Sequence, residues 1–213
     1  MKIYEMEQGS EEWFAIKYGK IGGSTLAEIM TKINKPVNNT AKYLDILSAH
    51  IEPFELDEEY ISSDMERGNS LEPIARMEFE RVHSKKVRQV GWVEMDNGIA
   101  GISPDGLIEE GEALETKCPA RKKHMLYILN PIELLNDYLW QSVQYFVVLE
   151  KLRKLYLVSY RPENTIRPMV VVEVTRETVV NKLQIADHVV SANSRINELK
   201  ESIDMDIKML NEF

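Results

Sequence analysis

The sequence predicts an α/β (α+β) fold with a central mixed or antiparallel β-sheet flanked by helices. Three observations carry that expectation: apolar residues at threes and fours before residue 87, short β-branched or alternating runs from 87 to 118, and helical periodicity again after 131. Helices before, within and after the sheet can share one core, so residues 1–213 are expected to form a single domain. An apolar fraction of 44% beside 29% charged residues is that of a folded chain rather than a disordered one.

Taking the elements in order, Ser10 is placed to N-cap a short helix. Glu11 and Glu12 fall in its first turn, where they complement the helix dipole, and Gly19 ends it. After Gly22-Gly23, Ser24 is expected to cap a second helix, TLAEIM. The two helix starts flank a glycine-rich turn bearing Lys17 and Lys20, an arrangement able to hold a phosphate, although an ordinary helix-turn-helix connection explains it too. Leu44, Leu47 and Ile51 then recur at helical spacing until Pro53. A further helix covers roughly 64–83, with Ile74, Ala75, Phe79 and Val82 on one face; Gly68 and Pro73 place its proper start near 70 and Glu72 in its first turn.

The runs VRQVGWVEM, GIAGIS and ALETKC, punctuated by DNG, PDG and EEGE, read as an antiparallel meander. Residues 131–149 read as mostly helical, with Pro131 at a helix-compatible first position. RKLYLVSY and PMVVVEVT are two more strands, the second apolar enough to be buried. From Glu177 to about 211, Leu183, Ala186, Val190, Ile196, Leu199, Ile203, Ile207 and Leu210 mark a long amphipathic helix or helix pair.

Composition narrows the function classes. The net charge of −9 excludes a uniformly basic coat for nucleic acid, but not a local basic groove offset by bound cations. Cys118 is the only cysteine, so neither an internal disulfide nor a thiolate zinc cluster is available. With no histidine close in sequence, a buried free thiol explains it better than a nucleophile does. MKIYEMEQGS carries no basic stretch followed by an apolar segment, and no apolar run approaches the ~20 residues that cross a bilayer, so a cytosolic address without membrane partners is expected.

The chemistry concentrates in residues 101–119, GISPDGLIEEGEALETKCP. Side chains alternate along a strand, so Ala113, Glu115 and Lys117 share one face and Leu114, Thr116 and Cys118 the other. Asp105, where SPDG turns the chain, can reach the face of Glu115 and Lys117. Two carboxylates beside a lysine suit a hard divalent cation and phosphodiester hydrolysis. Taken singly, a PDG turn and alternating Glu and Lys on a strand are ordinary surface features.

SPDGL followed by LETKCP resembles the active-site block of the lambda-type phage exonucleases, the YqaJ-like viral recombinase and alkaline exonuclease family of the PD-(D/E)XK nuclease superfamily. Three further blocks resemble the same family in the same order: EQGSEEWFAIKYGKIGGSTLAEIM, RGNSLEPIARMEFE and YLWQSVQYF. The resemblance implies a restriction-endonuclease-like core, with Asp105, Glu115 and Glu72 as metal ligands and the Thr116 carbonyl as a further one. It implies Lys117 as the residue positioning or activating water, and Trp13, Lys17 and Ser24 as the pocket for a DNA 5′-phosphate. Lys17 stands where an arginine is expected, which keeps the charge and loses the bidentate fork. The motif glutamine is Gln141 if Tyr138 is aligned and Gln144 if Tyr145 is, with more weight on Gln141.

The activity so implied is Mg²⁺-dependent 5′-to-3′ digestion of linear duplex DNA, with Mn²⁺ as a substitute and two ions per site. It releases 5′-mononucleotides and leaves a 3′ overhang for recombination by single-strand annealing. The resemblance further implies a homotrimeric ring around DNA, an annealing recombinase as partner, and a phage or prophage protein in a bacterial cytoplasm. Arg121, Lys122 and Lys123, directly after the catalytic strand, are the candidate backbone-contacting patch, with a solvated charge run as the plain alternative. A PD-(D/E)XK endonuclease or structure-specific repair nuclease would use the same chemistry, whereas a non-catalytic DNA- or protein-binding relative would not need all of Asp105, Glu115 and Lys117.

Overall fold

The computed structural model describes residues 1–32, 34–56, 63–109 and 111–212, so Glu110 of the expected EEGE turn lies outside the described residues. The chain opens with β1 (Lys2–Tyr4), α1 (Glu11–Lys17) and α2 (Leu26–Met30); a 3₁₀ turn, Val37–Asn39, leads into α3 (Ala41–Ala49) and α4 (Ser63–His83). Five strands follow: β2 (Val87–Arg88), β3 (Trp92–Glu94), β4 (Gly101–Ile102), β5 (Gly106–Ile108) and β6 (Glu112–Lys117). Then come α5 (Arg121–Leu129), α6 (Ile132–Asp137), α7 (Leu139–Val148), β7 (Lys154–Tyr160) and β8 (Met169–Val174). A small hairpin, β9 (Val179–Val180) and β10 (Leu183–Gln184), precedes α8 (Ile185–Asn211).

The larger sheet has the order β2-β5-β6-β7-β8, antiparallel throughout except for the parallel pair β6 and β7. A parallel pair needs a long crossover, and α5, α6 and α7 supply it. One face of this sheet packs Leu114, Tyr156 and Val158 on Ala75 and Phe79 of α4. The opposite face packs Ala113, Leu155 and Leu157 into the main core with α7, α8 and α2. Arg195 of α8, itself buried, donates to the carbonyls of Ile29 and Lys32 at 3.1 Å each, fastening α8 to the end of α2.

Several expected details change. VRQVGWVEM is not one strand: β2 joins the larger sheet, while β3 pairs with β1 and β4 in a separate three-stranded sheet. The break falls at Gly91, where a Cβ would lie 2.6 Å from the Met6 carbonyl oxygen, so only glycine lets the N-terminal segment pass. Ser24 does not cap α2; Thr25 occupies that position, and its hydroxyl accepts from the Gly22 N–H at 2.8 Å instead. On α3 the buried residues are Tyr43 and Ile46, with Leu44 and Ile51 exposed, because the Tyr43 hydroxyl reaches Ser202 and Asp206 on α8.

The α4 helix starts at Ser63 and runs through Pro73, so Glu72 lies mid-helix. Its buried apolar residues Ala75 and Phe79 are four apart, whereas Ile74 and Val82 face outward. The stretch expected to be helical from 131 to 149 breaks at Tyr138 into α6 and α7, and Pro131 is the N-cap rather than the first helical residue. The more buried strand is β7, in the sheet interior, and β8 is an edge strand. The last helix starts only at Ile185, with a capping box between Gln184 and Asp187, and Leu183, Val190 and Leu210 lie outside the core. No helix among the described residues is long and apolar enough to cross a membrane.

The inward face of α4 is testable. Phe79 is fully buried between α4 and the sheet, so Phe79→Ala is expected to cost about 3–5 kcal/mol in urea unfolding, whereas Val82→Ala, at a half-exposed position, changes stability by about 0.5 kcal/mol or less. Equal losses at the two positions would contradict this packing.

Candidate active site

Strand β6 turns Glu115 toward α7, and the carboxylate is 2% exposed. Its Oε1 pairs with Lys117 Nζ at 2.6 Å and accepts from Gln141 Nε2 at 2.5 Å. Its Oε2 accepts from the Tyr145 hydroxyl at 2.5 Å. Gln141 and Tyr145 are four apart on α7, so one helix face supplies both donors. Lys117 Nζ also sits 4.8 Å from the centre of the Tyr138 ring. Burial alone would lower the Lys117 ammonium, but Glu115 and Asp105 more than reverse it, so the lysine is held protonated.

Asp105 reaches the same place from β5, whose register pairs Gly106 with Leu114. The Thr116 N–H and hydroxyl both donate to Asp105 Oδ2, at 2.6 and 2.7 Å. Gly106 is required behind it, because a Cβ there would come within 1.9 Å of Val87 Cγ1. Burial, then the charges of Glu115 and Glu72, push the Asp105 carboxyl well above the usual carboxylate range, against the opposing Lys117 and the Thr116 N–H.

Glu72 arrives from α4, where its Oε1 meets Arg76 Nη1 at 3.1 Å. Burial raises its carboxyl, Arg76 opposes that, and Glu115 adds to the rise. Cys118, on the α4 side of β6, is pushed up to about 11, chiefly by burial, so it is a thiol at neutral pH and no nucleophile.

Among the described residues no three His, Cys, Asp or Glu side chains form a ready-made metal cluster. Arg76 engages Oε1 of Glu72, while Asp105 feels the charges of both Glu115 and Glu72. Buried carboxylates held close together, with Asp105 raised by burial and then by its acidic neighbours, are a donor set that a hard divalent cation fits, with water completing the shell. Thr116 serves Asp105 through its N–H and hydroxyl.

A cleft of about 1140 Å³ is lined by Trp13, Lys17, Ser24, Glu72 and Arg76. It therefore brings the three residues expected in a phosphate pocket onto one surface with Glu72. Lys17 Nζ lies 3.1 Å from the centre of the Trp13 ring, and the Trp13 indole N–H donates to the Gly91 carbonyl and to Ser103 Oγ, each at 2.9 Å. Gly23 packs on Gln141, where a Cβ would lie 3.2 Å from its Cγ, so the glycine-rich turn bears directly on the site helix.

Gln144 is not part of this cluster. Fully buried, it donates to the Gly101 carbonyl at 3.1 Å and to that of Ile21 at 3.5 Å, binding the turn to β4. Arg121, Lys122 and Lys123 lie on α5, a helix not expected from the sequence, and none of them lines the cleft. Lys123 pairs with Asp137 at 2.6 Å. Tyr145, Arg76 and Ser103 were not among the expected site residues. The fourfold spacings Gln141 to Tyr145 and Glu72 to Arg76 were signals for two of them; nothing local marked Ser103.

Comparison with known proteins fits this geometry. The model of the YqaJ-like viral recombinase domain matches residues 12–151, well over half of the chain. The fold is similar to that of LHK-Exo, an alkaline exonuclease from Laribacter hongkongensis, with 21% identity, a TM-score of 0.75 and coverage of 95% of this chain and 97% of that one. A second LHK-Exo structure, in complex with dAMP, gives 22%, 0.74 and the same coverage. A phage-related exonuclease from Haemophilus somnus 129PT is similar at 12% identity and a TM-score of 0.66, over 90% of this chain and 96% of that one. No curated protein matches the sequence.

The raised Asp105 carboxyl has a definite sign in stability. The folded state holds that proton more tightly than the unfolded chain, so its stabilising effect is present at acidic pH and is lost as pH rises through the raised pKa. In EDTA at pH 7, Asp105→Asn is therefore expected to raise Tm above that of the wild type by calorimetry, with the gain vanishing near pH 4. A lower Tm for the variant at pH 7 would contradict the assigned environment.

Proposed function

The chain belongs to the YqaJ-like viral recombinase domain family, and from that premise we propose that it is a divalent-metal-dependent deoxyribonuclease acting on the ends of linear duplex DNA. It digests 5′ to 3′, releases 5′-mononucleotides and leaves a 3′ overhang for recombination by single-strand annealing. The observation that carries this reading is the convergence of Asp105, Glu115 and Lys117 beside Gln141, bordered through Glu72 and Arg76 by a cleft bearing Trp13 and Lys17. LHK-Exo has been crystallised with dAMP, a product-like mononucleotide, which supports the same substrate class here.

Mg²⁺, or Mn²⁺ in its place and two ions in the full site, would be held by Asp105, Glu115 and Glu72 and would polarise the phosphate and acidify water. The chain's own groups do the rest. Gln141 and Tyr145 fix the Glu115 carboxylate, and protonated Lys117 orients the attacking water or faces the charge that develops on the phosphate. Lys17, beside Trp13 and Ser24, supplies a point charge for the terminal 5′-phosphate without the fork of an arginine. A homotrimeric ring would keep an acidic chain on its DNA and hand the overhang to an annealing recombinase, in the cytoplasm of a bacterial host of phage or prophage origin.

Purified protein incubated with Mg²⁺ is expected to release mononucleotides from linear duplexes, to leave circles intact and to stop in EDTA. Lys117→Ala is expected to lower the rate by about 10²–10³-fold. Cutting of circles would make it an endonuclease, and no cutting would favour a binding protein. Gln141→Ala should slow cleavage by about 10–100-fold with little change in Tm, whereas Gln144→Ala should lower Tm first.

A further inference from the structure

We propose that Arg76 is a positioning residue that sets Glu72 against the Asp105 turn, and with it the cation site to which Glu72 contributes; this rests on the metal-dependent reading given above. Arg76 is 9% exposed, although it lines the cleft. Its Nη1 donates to Glu72 Oε1 at 3.1 Å and to the Asp105 carbonyl at 3.3 Å. The Gln89 carboxamide oxygen, in the orientation its surroundings require, accepts from Nη1 at 3.0 Å and Nη2 at 2.8 Å. One guanidinium thus joins α4, the β2–β3 connection and the turn before β5.

A Glu–Arg pair four apart on a helix is ordinarily a surface contact worth a few tenths of a kcal/mol. Here the same nitrogen also reaches a main-chain carbonyl 29 residues away, and Gln89 from a third segment accepts from both terminal nitrogens. Nη1 is spent on protein acceptors and Nη2 is gripped by Gln89, so we assign Arg76 to act through Glu72 and the Asp105 turn. It holds Oε1 of Glu72, whose carboxylate is close enough to Glu115 and Lys117 to feel both charges. A lysine would keep the charge but lack the second nitrogen that Gln89 grips. The interruption between β2 and β3 acquires a use, since it brings Gln89 to the guanidinium.

The test is a double-variant cycle on the full chain, with Mn²⁺ as probe: free Mn²⁺ is read by electron paramagnetic resonance, and cleavage of linear duplex is read in parallel. Arg76→Met and Glu72→Gln are each expected to weaken the same Mn²⁺ equilibrium about 10-fold or more, and the double variant no further than the worse single change. Arg76→Lys is expected to fail to restore it, and Gln89→Ala to give a smaller loss; both remain readable if Arg76→Met does not fold. In cleavage, kcat should fall while KM for DNA stays within about 2-fold. Additive losses, rescue by lysine, or a raised KM at unchanged kcat would each overturn the assignment. If the wild type binds Mn²⁺ without cutting, the nuclease reading falls and the cycle still decides Arg76; if it does neither, both fall together.

Discussion

The structure depends on burying one carboxylate, Glu115, in the contact between the sheet and α7. An unpaired charge at 2% exposure would be prohibitive, so each oxygen must be met. Lys117 and Gln141 meet one, Tyr145 the other. Those donors come from β6 and α7, so the sheet cannot shift against that helix without stranding the charge. The buried group thereby fixes the geometry more than it stabilises it.

That constraint reaches outward through packing. The α7 helix is placed by the crossover between parallel β6 and β7, and it also packs on α8, α2, β4 and the glycine-rich turn held by Gln144. Across the sheet, Ala75 and Phe79 seat α4 so that Glu72 and Arg76, about two turns and one turn before Phe79, face the Asp105 turn. A side chain is thus delivered to the site from each face of one sheet, and the hydrophobic cores on either side act as its rulers. The strand-edge glycines serve the same end: Gly91 lets the N-terminal segment cross and Gly106 lets β2 close behind Asp105.

What was legible in the sequence was whatever depends on local periodicity. Alternation along ALETKC is enough to put Glu115 and Lys117 on one face, and the structure has them there. The Ser10 cap and the long C-terminal helix follow from local chemistry in the same way. Illegible were the choices made by distant partners. Whether Leu44 or Tyr43 faces inward is decided by α8, more than 150 residues away, which offers Asp206 to the phenol. The split of VRQVGWVEM is decided by a segment crossing at Met6. RKKH hides the start of α5 because the helix's buried members, His124 and Tyr127, are anchored by bonds to Ser159, 35 residues on, and to Asp137, ten residues on, that no local pattern announces. Gln141 and Gln144 share a helix side in the sequence, and only the turn beneath Gln144 separates their roles.

The charges at the site come close to cancelling. Asp105, Glu115 and Glu72 stand against Lys117, Arg76 and, across the cleft, Lys17. Arg76 and Lys117 are already engaged by the acids, so the resting centre offers a phosphate little net attraction, within a chain of net charge −9. On the proposed reading, divalent cations would convert this balanced centre into a positive one at the moment DNA needs it, while Lys17, beside Trp13 in the cleft, would help to recruit the end. The metal would then be the group that makes an acidic protein a DNA-binding one, in addition to its part in the chemistry. A lysine in place of an arginine fork is consistent with that division, because capture of the end need only be strong enough to last until the cation-filled centre engages the backbone.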